Sequence, residues 1–251
     1  MKALIVGYGS MGREVEKVLL DRGHAVTARV DPKARADAPA VTADLAAGAD
    51  VAIEFAAADA VLDNAALYAR CGLNAVNGST GWYGRLDDLK KVLAAGNIGY
   101  LYGSNFSVGA HLFFALVREA ARLADSCPEY DILGYEIHHK RKKDSPSGTA
   151  LSIAKIINQE SSRQKKTVTE RLDRAVKPDE LHFASLRGGE FPGVHTVLLD
   201  SLADTIELKH SARSRGGFAL GAVRAAEWIV GRKGLFEVED FIRDVLNGRK
   251  A

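Results

Sequence analysis

Cysteine is nearly absent from this chain: Cys71 and Cys127 are the only 2 in 251 residues, and they lie far apart. Two cysteines are too few for a disulfide framework or a cysteine-based zinc site, and they point to a reducing compartment. An excess of charge of either sign is also lacking. The 34 Lys and Arg against 32 Asp and Glu give a net charge of +2. Such a balance sets up no global field that would mark nucleic acid or a membrane as the main partner. No apolar run approaches the ~20 residues of a membrane span. Ala3-Leu4-Ile5-Val6 is too short for the apolar region of a signal peptide. Internal repeats and low-complexity tracts are missing too. The expectation is a cytoplasmic globular protein with neither membrane nor nucleic acid as partner. Its 47% hydrophobic and 26% charged residues are ordinary for that class.

What is present is an alternation. Ala3–Val6 is a continuous apolar run ended by Gly7, as expected for a strand buried on both faces. Met11, Val15, Val18, Leu19 and Arg22 then recur at helical spacing until Gly23. Ala25–Val30, Val51–Phe55, Ala75-Val76 and Ile98–Leu101 read as further strands, with helical stretches at Ala58–Arg70 and Leu86–Ala95. Strands alternating with helices predict parallel pairing through right-handed crossovers.

Near Ser107 the pattern changes. A long helix (Leu112–Ala124) leads to a strand (Tyr130–Ile137), a basic loop and a second helix (Thr149–Gln159). The polar stretch Glu160–Glu180 is expected to be a mobile loop or lid. Phe183–Leu186, His195–Leu199 and Thr205–His210 follow as strands in succession, which predicts a mixed or antiparallel sheet. Phe218–Val230 and Val238–Leu246 are closing helices. The fold class is therefore α/β: a Rossmann-like doubly wound parallel sheet formed by residues 1–106 and 216–251, with an α+β domain, residues 107–215, inserted.

Gly7-Tyr8-Gly9-Ser10-Met11-Gly12 matches G-x-G-x-x-G between a strand and a helix. The glycines allow a tight turn and close approach to a pyrophosphate, and the helix N-terminus offers free N–H groups to the anion. Alone the motif is weak, since glycine turns also serve packing. Asp31 strengthens it: the residue ends the second strand roughly twenty positions beyond Gly12, where an acid binds a ribose diol. Lys33 could meet a 2′-phosphate, so the cofactor is NADH or NADPH, with NADH favoured. Glu54-Phe55-Ala56, Gly78-Ser79-Thr80-Gly81 and Gly103-Ser104-Asn105-Phe106 follow later strands, on the edge of the sheet where ligands bind.

Glu136-Ile137-His138-His139-Lys140-Arg141-Lys142-Lys143-Asp144-Ser145-Pro146-Ser147-Gly148-Thr149-Ala150 carries the sharpest signal. Two histidines at a strand end, a cationic loop and a capped helix suit an acidic substrate. Ser147 is the expected N-cap, the N–H groups of Gly148 and Thr149 face a carboxylate, and Lys142 supplies a point charge or a proton. A histidine beside such cations is a tunable acid near neutral pH. Taken alone, Lys140–Lys143 reads as a solvated loop or a nucleic-acid patch, but no aromatic residues are interleaved with it. The adjacent histidines lack the spacing of H-E-x-x-H and no third ligand is near in sequence, so no metal is expected.

This segment resembles the signature of the dihydrodipicolinate reductase family, E-x-H-H-x-x-K-x-D-x-P-S-G-T-A, with every fixed position filled from Glu136 to Ala150. The resemblance extends to the glycine turn, to Gly78, Ser104–Ser107, Leu186–Gly189, Gly193–His195 and Arg215–Ala222, and so to nearly the whole chain. It implies NAD(P)H-dependent reduction of dihydrodipicolinate, formed from 4-hydroxy-tetrahydrodipicolinate, to tetrahydrodipicolinate in diaminopimelate and L-lysine biosynthesis. By the same resemblance His138 is the catalytic acid/base and Lys142 the second proton donor, while His139, Gly148 and Thr149 hold the small dicarboxylate substrate. Gly7, Tyr8, Gly9, Ser10, Met11, Gly12, Asp31, Gly78, Ser79, Thr80, Gly103, Ser104, Asn105 and Phe106 would line the cofactor. The inserted domain would carry substrate binding and assembly into a homotetramer. Departures are small: Glu54-Phe55-Ala56 stands for the usual Asp-Phe-Thr or Asp-Phe-Ser, and Ser79 for a threonine. The alternative is another two-domain amino-acid dehydrogenase, of the aspartate type. It would share the glycine turn but have no need of His138-His139 before Pro146-Ser147-Gly148-Thr149.

Overall fold

The first apolar run becomes β1 (Lys2–Val6), fully covered from Ala3 onward, and it sits inside a six-stranded sheet. The computed structural model describes residues 1–248; the expected final positions 249–251 of the first domain lie outside the described residues. After β1 come α1 (Ser10–Asp21), β2 (Ala25–Val30), the short α2 (Ala43–Ala47) and β3 (Val51–Glu54). The chain continues through α3 (Val61–Cys71), β4 (Asn74–Asn77), α4 (Leu86–Leu93) and β5 (Gly99–Tyr102). The chain divides into two compact units, Met1–Val108 with the chain from Arg215 onward, and Gly109–Ser214.

In the first unit every pairing is parallel, as the alternation predicts. A strand absent from the sequence reading, β11 (Gly234–Glu237), adds at the edge beside β5, between α7 (Gly216–Ile229) and α8 (Val238–Leu246). The strand order is β11-β5-β4-β3-β1-β2, so the chain runs outward from β1 to β2 and then crosses to β3 on the other side. The gap between β1 and β3 is thus the switch point, where turns diverge and leave a crevice at the strand ends. Val15, Leu19, Ala222, Ala226 and Phe241 cover one face of the sheet, from α1, α7 and α8. Val61, Ala65, Tyr68 and Leu89, from α3 and α4, cover the other. Strands buried on both faces explain why the sequence shows apolar runs rather than alternation.

The second unit holds α5 (Val108–Asp125), β6 (Asp131–His138), α6 (Gly148–Glu160), β7 (Lys166–Val168), β8 (Glu180–Arg187), β9 (Val194–Asp200) and β10 (Thr205–Ser211). Its sheet, β10-β9-β6-β8-β7, is mixed: β6 is antiparallel to β9 and parallel to β8. Phe113 and Val117 of α5 and Ile153 and Ile157 of α6 pack on one face, against Ile132, Phe183, Val197 and Leu199. Period-2 burial along β6 turns Leu133, Tyr135 and Ile137 to the opposite face, where they stay half-buried.

The expectation of a free polar lid over Glu160–Glu180 needs correction in its first half, residues 161–168. Residues 166–168 form the edge strand β7, and the Arg163 guanidinium donates to the carbonyls of Ala124 and Tyr130. Gln164 is buried and donates to Asp131 and to the carbonyl of Ile132. Polarity there reflects hydrogen bonds to backbone rather than freedom. No helix among the described residues is long and apolar enough to cross a membrane.

Candidate functional site

In the first unit the crevice at the switch point is a cleft of about 420 Å³, lined by Gly7, Gly9–Gly12, Phe55–Ala58 and Gly78–Thr80. Gly7 has φ +87°, and a Cβ there would overlap the Phe55 carbonyl. A Cβ on Gly12 would overlap the Gly7 carbonyl, so only glycine lets α1 start so close to β1. Gly9 is the N-cap of α1 and has no side chain to cap the helix; its Cα faces open space, and no acid sits in the first turn. The leading N–H groups of α1 therefore point to an anion in the cleft. This cradle fits a dinucleotide pyrophosphate.

Asp31 follows β2. Its carboxylate accepts from the backbone N–H of Lys33 (2.8 Å), Ala34 (2.9 Å) and Tyr8 (2.8 Å), which hold it below the usual carboxylate range. A carboxylate can take about four donors, so one acceptor position on the Tyr8 side stays open. The Tyr8 hydroxyl donates to Glu16, which also accepts from Arg29. Gly103, Ser104, Asn105 and Phe106 are not among the residues lining this cleft. Phe106 is 1% exposed and belongs to the core, its ring edge-on to Phe55. Gly103 donates its N–H to the Asn77 carbonyl.

In the second unit a carboxylate organises the signature segment. Register places Glu136 opposite His195 of β9 and Ser185 of β8, and His138 opposite Arg187. Glu136 is fully buried. It accepts from the Ser147 N–H (2.9 Å), the Ser147 hydroxyl, the Ser185 hydroxyl (2.9 Å) and Arg187 Nη2 (2.8 Å). Burial opposes its ionisation, but hydrogen bonds from His195, Ser147 and Arg187 prevail and hold it well below the carboxylate range. The Ser147 oxygen also accepts from Ala150 N–H, making it the N-cap of α6. Arg187 Nη2 further donates to the Asp144 carbonyl at 2.6 Å. Strand ends, basic loop and helix start are thereby tied to one group.

His138 is 7% exposed. Burial pulls its imidazole down to about 4, against the attraction of Glu136. It is therefore neutral at pH 7, not the near-neutral acid expected from its cationic neighbours. Lys142 Nζ lies 2.8 Å from Asp144 and is partly covered. His139 donates its N–H to the Phe191 carbonyl, while its buried Nδ1 has no partner. Gly148 is exposed and Thr149 half-buried at the start of α6, which has no acid in its first turn. Sequence reasoning gave no role to Glu136, Ser185, Arg187 or His195. The i, i+2 spacing of Glu136 and His138 does put them on one strand face, but the partners come from β8 and β9.

Glu136, His138 and His195 bring ligand-type atoms within 4.8 Å of one another. The Glu136 oxygens already accept from Arg187 and both serines, and a guanidinium 2.8 Å away opposes a second cation there. We assign no metal to this trio.

Comparison with known proteins completes the picture. Residues 1–106 match the family model for the N-terminus of dihydrodipicolinate reductase, and residues 109–242 the model for its C-terminus. A 4-hydroxy-tetrahydrodipicolinate reductase of Christiangramia forsetii is 33% identical over 98% of this chain and 99% of its own length. The enzyme of that name from Methanosarcina mazei is 41% identical over 77% of this chain and 73% of its own. The solved dipicolinate-bound dihydrodipicolinate reductase from Paenisporosarcina sp. TG-14 superposes with TM-score 0.76 over 96% of this chain and 98% of that one, at 20% identity, and shares the fold. Matches over both halves, with identity carried through the whole length, displace the aspartate-type alternative: the chain belongs to the dihydrodipicolinate reductase family.

Proposed function

We propose that this chain reduces the conjugated double bond of dihydrodipicolinate to give tetrahydrodipicolinate, with a nicotinamide dinucleotide held in the first unit and the substrate in the second. Family membership makes it a nicotinamide-dependent oxidoreductase. The single observation that carries the site assignment is the Glu136 network, which ties the start of α6 to a carboxylate that stands 3.3 Å from His138. That a fold relative binds dipicolinate supports a small dicarboxylate ligand.

The bound nicotinamide supplies the hydride, and the protein supplies position and charge. Gly7, Tyr8, Gly9, Ser10, Met11 and Gly12 would cradle the pyrophosphate, Asp31 would take a ribose hydroxyl at its open acceptor position, and Gly78–Thr80 would form the opposite wall. Gly103, Ser104, Asn105 and Phe106 would line the cofactor beyond this cleft, towards the nicotinamide. The open position on Asp31 favours NADH, and NADPH is the second cofactor to test. The Gly148 and Thr149 N–H groups, Lys142 and His139 would hold the two carboxylates. Reduction adds a hydride and a proton. Lys142 carries a transferable proton, while His138, neutral when the protein is empty, would gain one at Nε2 once the dianion draws a proton to it. If 4-hydroxy-tetrahydrodipicolinate binds first, the same pair would assist loss of water.

Assembly into a homotetramer through the second unit's sheet is part of this reading. Leu133, Tyr135, Ile137 and Leu198 share the face turned from α5 and α6, and Leu186 there is 53% exposed. Light scattering on the purified protein decides it. The reaction is tested by oxidation of NADH and NADPH in parallel with freshly made substrate. Alanine variants at His138, Lys140, Lys142 and Lys143 complete the test. Large losses at His138 and Lys142 only are expected, and a flat profile overturns the site.

A further inference from the structure

Glu54 ends β3 in the first unit and is 0% exposed. It has one close partner: Asn64 Nδ2 donates to Oε1 at 2.7 Å, and Oε2 has none. The groups facing it are Asn64 and Tyr68 from α3, Asn77 from β4 and Tyr100 from β5. All are neutral, and burial pushes both phenols well up, so they stay protonated. Among the described residues facing Glu54 there is no counter-charge. Burial raises its carboxyl to about 7, with Asn64, Asn77 and Tyr68 pulling the other way.

Glu54 is connected to the cleft by two routes. Its carbonyl accepts the Gly78 N–H at 2.8 Å. Its side chain faces Asn77, whose Nδ2 is buried and unpartnered and whose Oδ1 accepts the Ser79 N–H at 3.0 Å. Gly78 and Ser79 line the cleft, and Phe55, next in sequence to Glu54, packs its ring where a Gly78 Cβ would be. A carboxylate buried among neutral groups is relieved by letting in water or a counter-ion. That loop is hydrogen-bonded both to the Glu54 carbonyl and to Asn77 beside its side chain.

We propose that Glu54 is a positioning residue for the nucleotide cleft, and that ionisation of its buried carboxyl loosens the Gly78–Thr80 wall and weakens dinucleotide binding. The ligand in this inference rests on the cofactor reading above; the link between Glu54 and the loop does not. Wild type and Glu54→Gln are compared at about pH 6 and about pH 8, either side of the carboxyl's value near 7. Amide hydrogen exchange at Gly78 and Ser79 is followed without cofactor, corrected for intrinsic rates, and NADH affinity is followed by nicotinamide fluorescence. Protection should fall with pH in wild type alone. NADH affinity should drop about tenfold in wild type, the loss expected when only the neutral fraction binds, and stay level in Glu54→Gln. The same pH response in both proteins overturns the proposal. If NADH binds neither protein, the cofactor reading fails while the exchange result still decides the loop. Should Glu54→Gln not fold, the infrared carbonyl band of a buried protonated carboxyl in wild type at pH 6 serves instead, and its absence overturns the proposal.

Discussion

The Oε2 oxygen of Glu136 stands 3.3 Å from Nδ1 of His138, both nearly sealed from solvent. The approach lacks hydrogen-bond geometry, so Nδ1 is counted as unpartnered. The field of the carboxylate nonetheless favours a proton on Nδ1 and leaves Nε2 as the second working edge. Glu136→Gln keeps the shape and removes that field. It also leaves Arg187 facing a neutral amide. Breaking one side of a buried pair typically costs about 3–5 kcal/mol, so denaturant unfolding should show a loss of that order. Among molecules that remain folded, kcat should fall ~10²-fold or more, the scale of general acid–base catalysis, with KM changed less. Wild-type kcat in the folded fraction would remove Glu136 from the mechanism.

His138 gives a pH prediction. Its folded value of about 4 lies below the ordinary imidazole value of 6.5. Between those limits the unfolded chain binds a proton that the folded chain refuses. The stability it contributes is complete above about 6.5 and is lost as pH falls through about 4. A bound dicarboxylate adds negative charge and should raise the imidazole. NMR titration of His138 with and without pyridine-2,6-dicarboxylate measures this. An unchanged midpoint on binding would deny His138 the role of proton donor.

Much of this was legible in the sequence because the signals are local. The G-x-G-x-x-G turn, the Ser147 cap and the apolar runs of the parallel sheet each depend on neighbours in the chain, and each appears where the pattern puts it. The partners of Glu136 were not legible, since Ser185, Arg187 and His195 reach it only through strand register. β11 was missed because Gly234–Glu237 is four residues long and half-exposed, with no periodicity to read. The depressed His138 value was missed for a physical reason: nearby cations and Glu136 are visible in sequence, but burial, which dominates, is not.

Asp31 holds the glycine turn through the Tyr8 N–H as well as facing a ribose in the proposed complex. Asp31→Ala should therefore weaken both cofactors somewhat and NADH more, because Lys33 still meets a 2′-phosphate. Direct titration with NADH and NADPH checks it. Equal losses would confine Asp31 to the turn.

Proteolysis should separate the two halves of residues 160–180. Residues 161–168 are held by Arg163, Gln164 and β7, whereas positions 170–177 are mostly exposed and tied at the far end by the Arg174–Glu180 pair. Trypsin under native conditions should cut at Arg171 or Arg174 before Arg163 or Lys165. Early cleavage at Arg163 would contradict the anchoring.

Gly193 offers the sharpest test of the His138 geometry. It precedes β9 with φ +156°, and a Cβ there would lie 3.0 Å from His138 Nε2 and 3.4 Å from Cδ2. A methyl group at that distance must push the ring, and the push is directed at the edge that the proposed proton transfer uses. Glu136 blocks retreat on the Nδ1 side. Displacing a reacting group by ~1 Å can cost about 10²-fold; the ring here need give by only a few tenths of an ångström, so Gly193→Ala should lower kcat by less than that. The backbone strain should cost roughly 1–3 kcal/mol, enough to see in a melt but not to unfold the sheet. Gly188→Ala is the matched control: it donates its N–H to the His138 carbonyl, and its added Cβ would meet nothing within 4 Å. That variant should keep near-normal activity. Equal activity in the two variants would mean that the Nε2 edge of His138 is not where the chemistry happens.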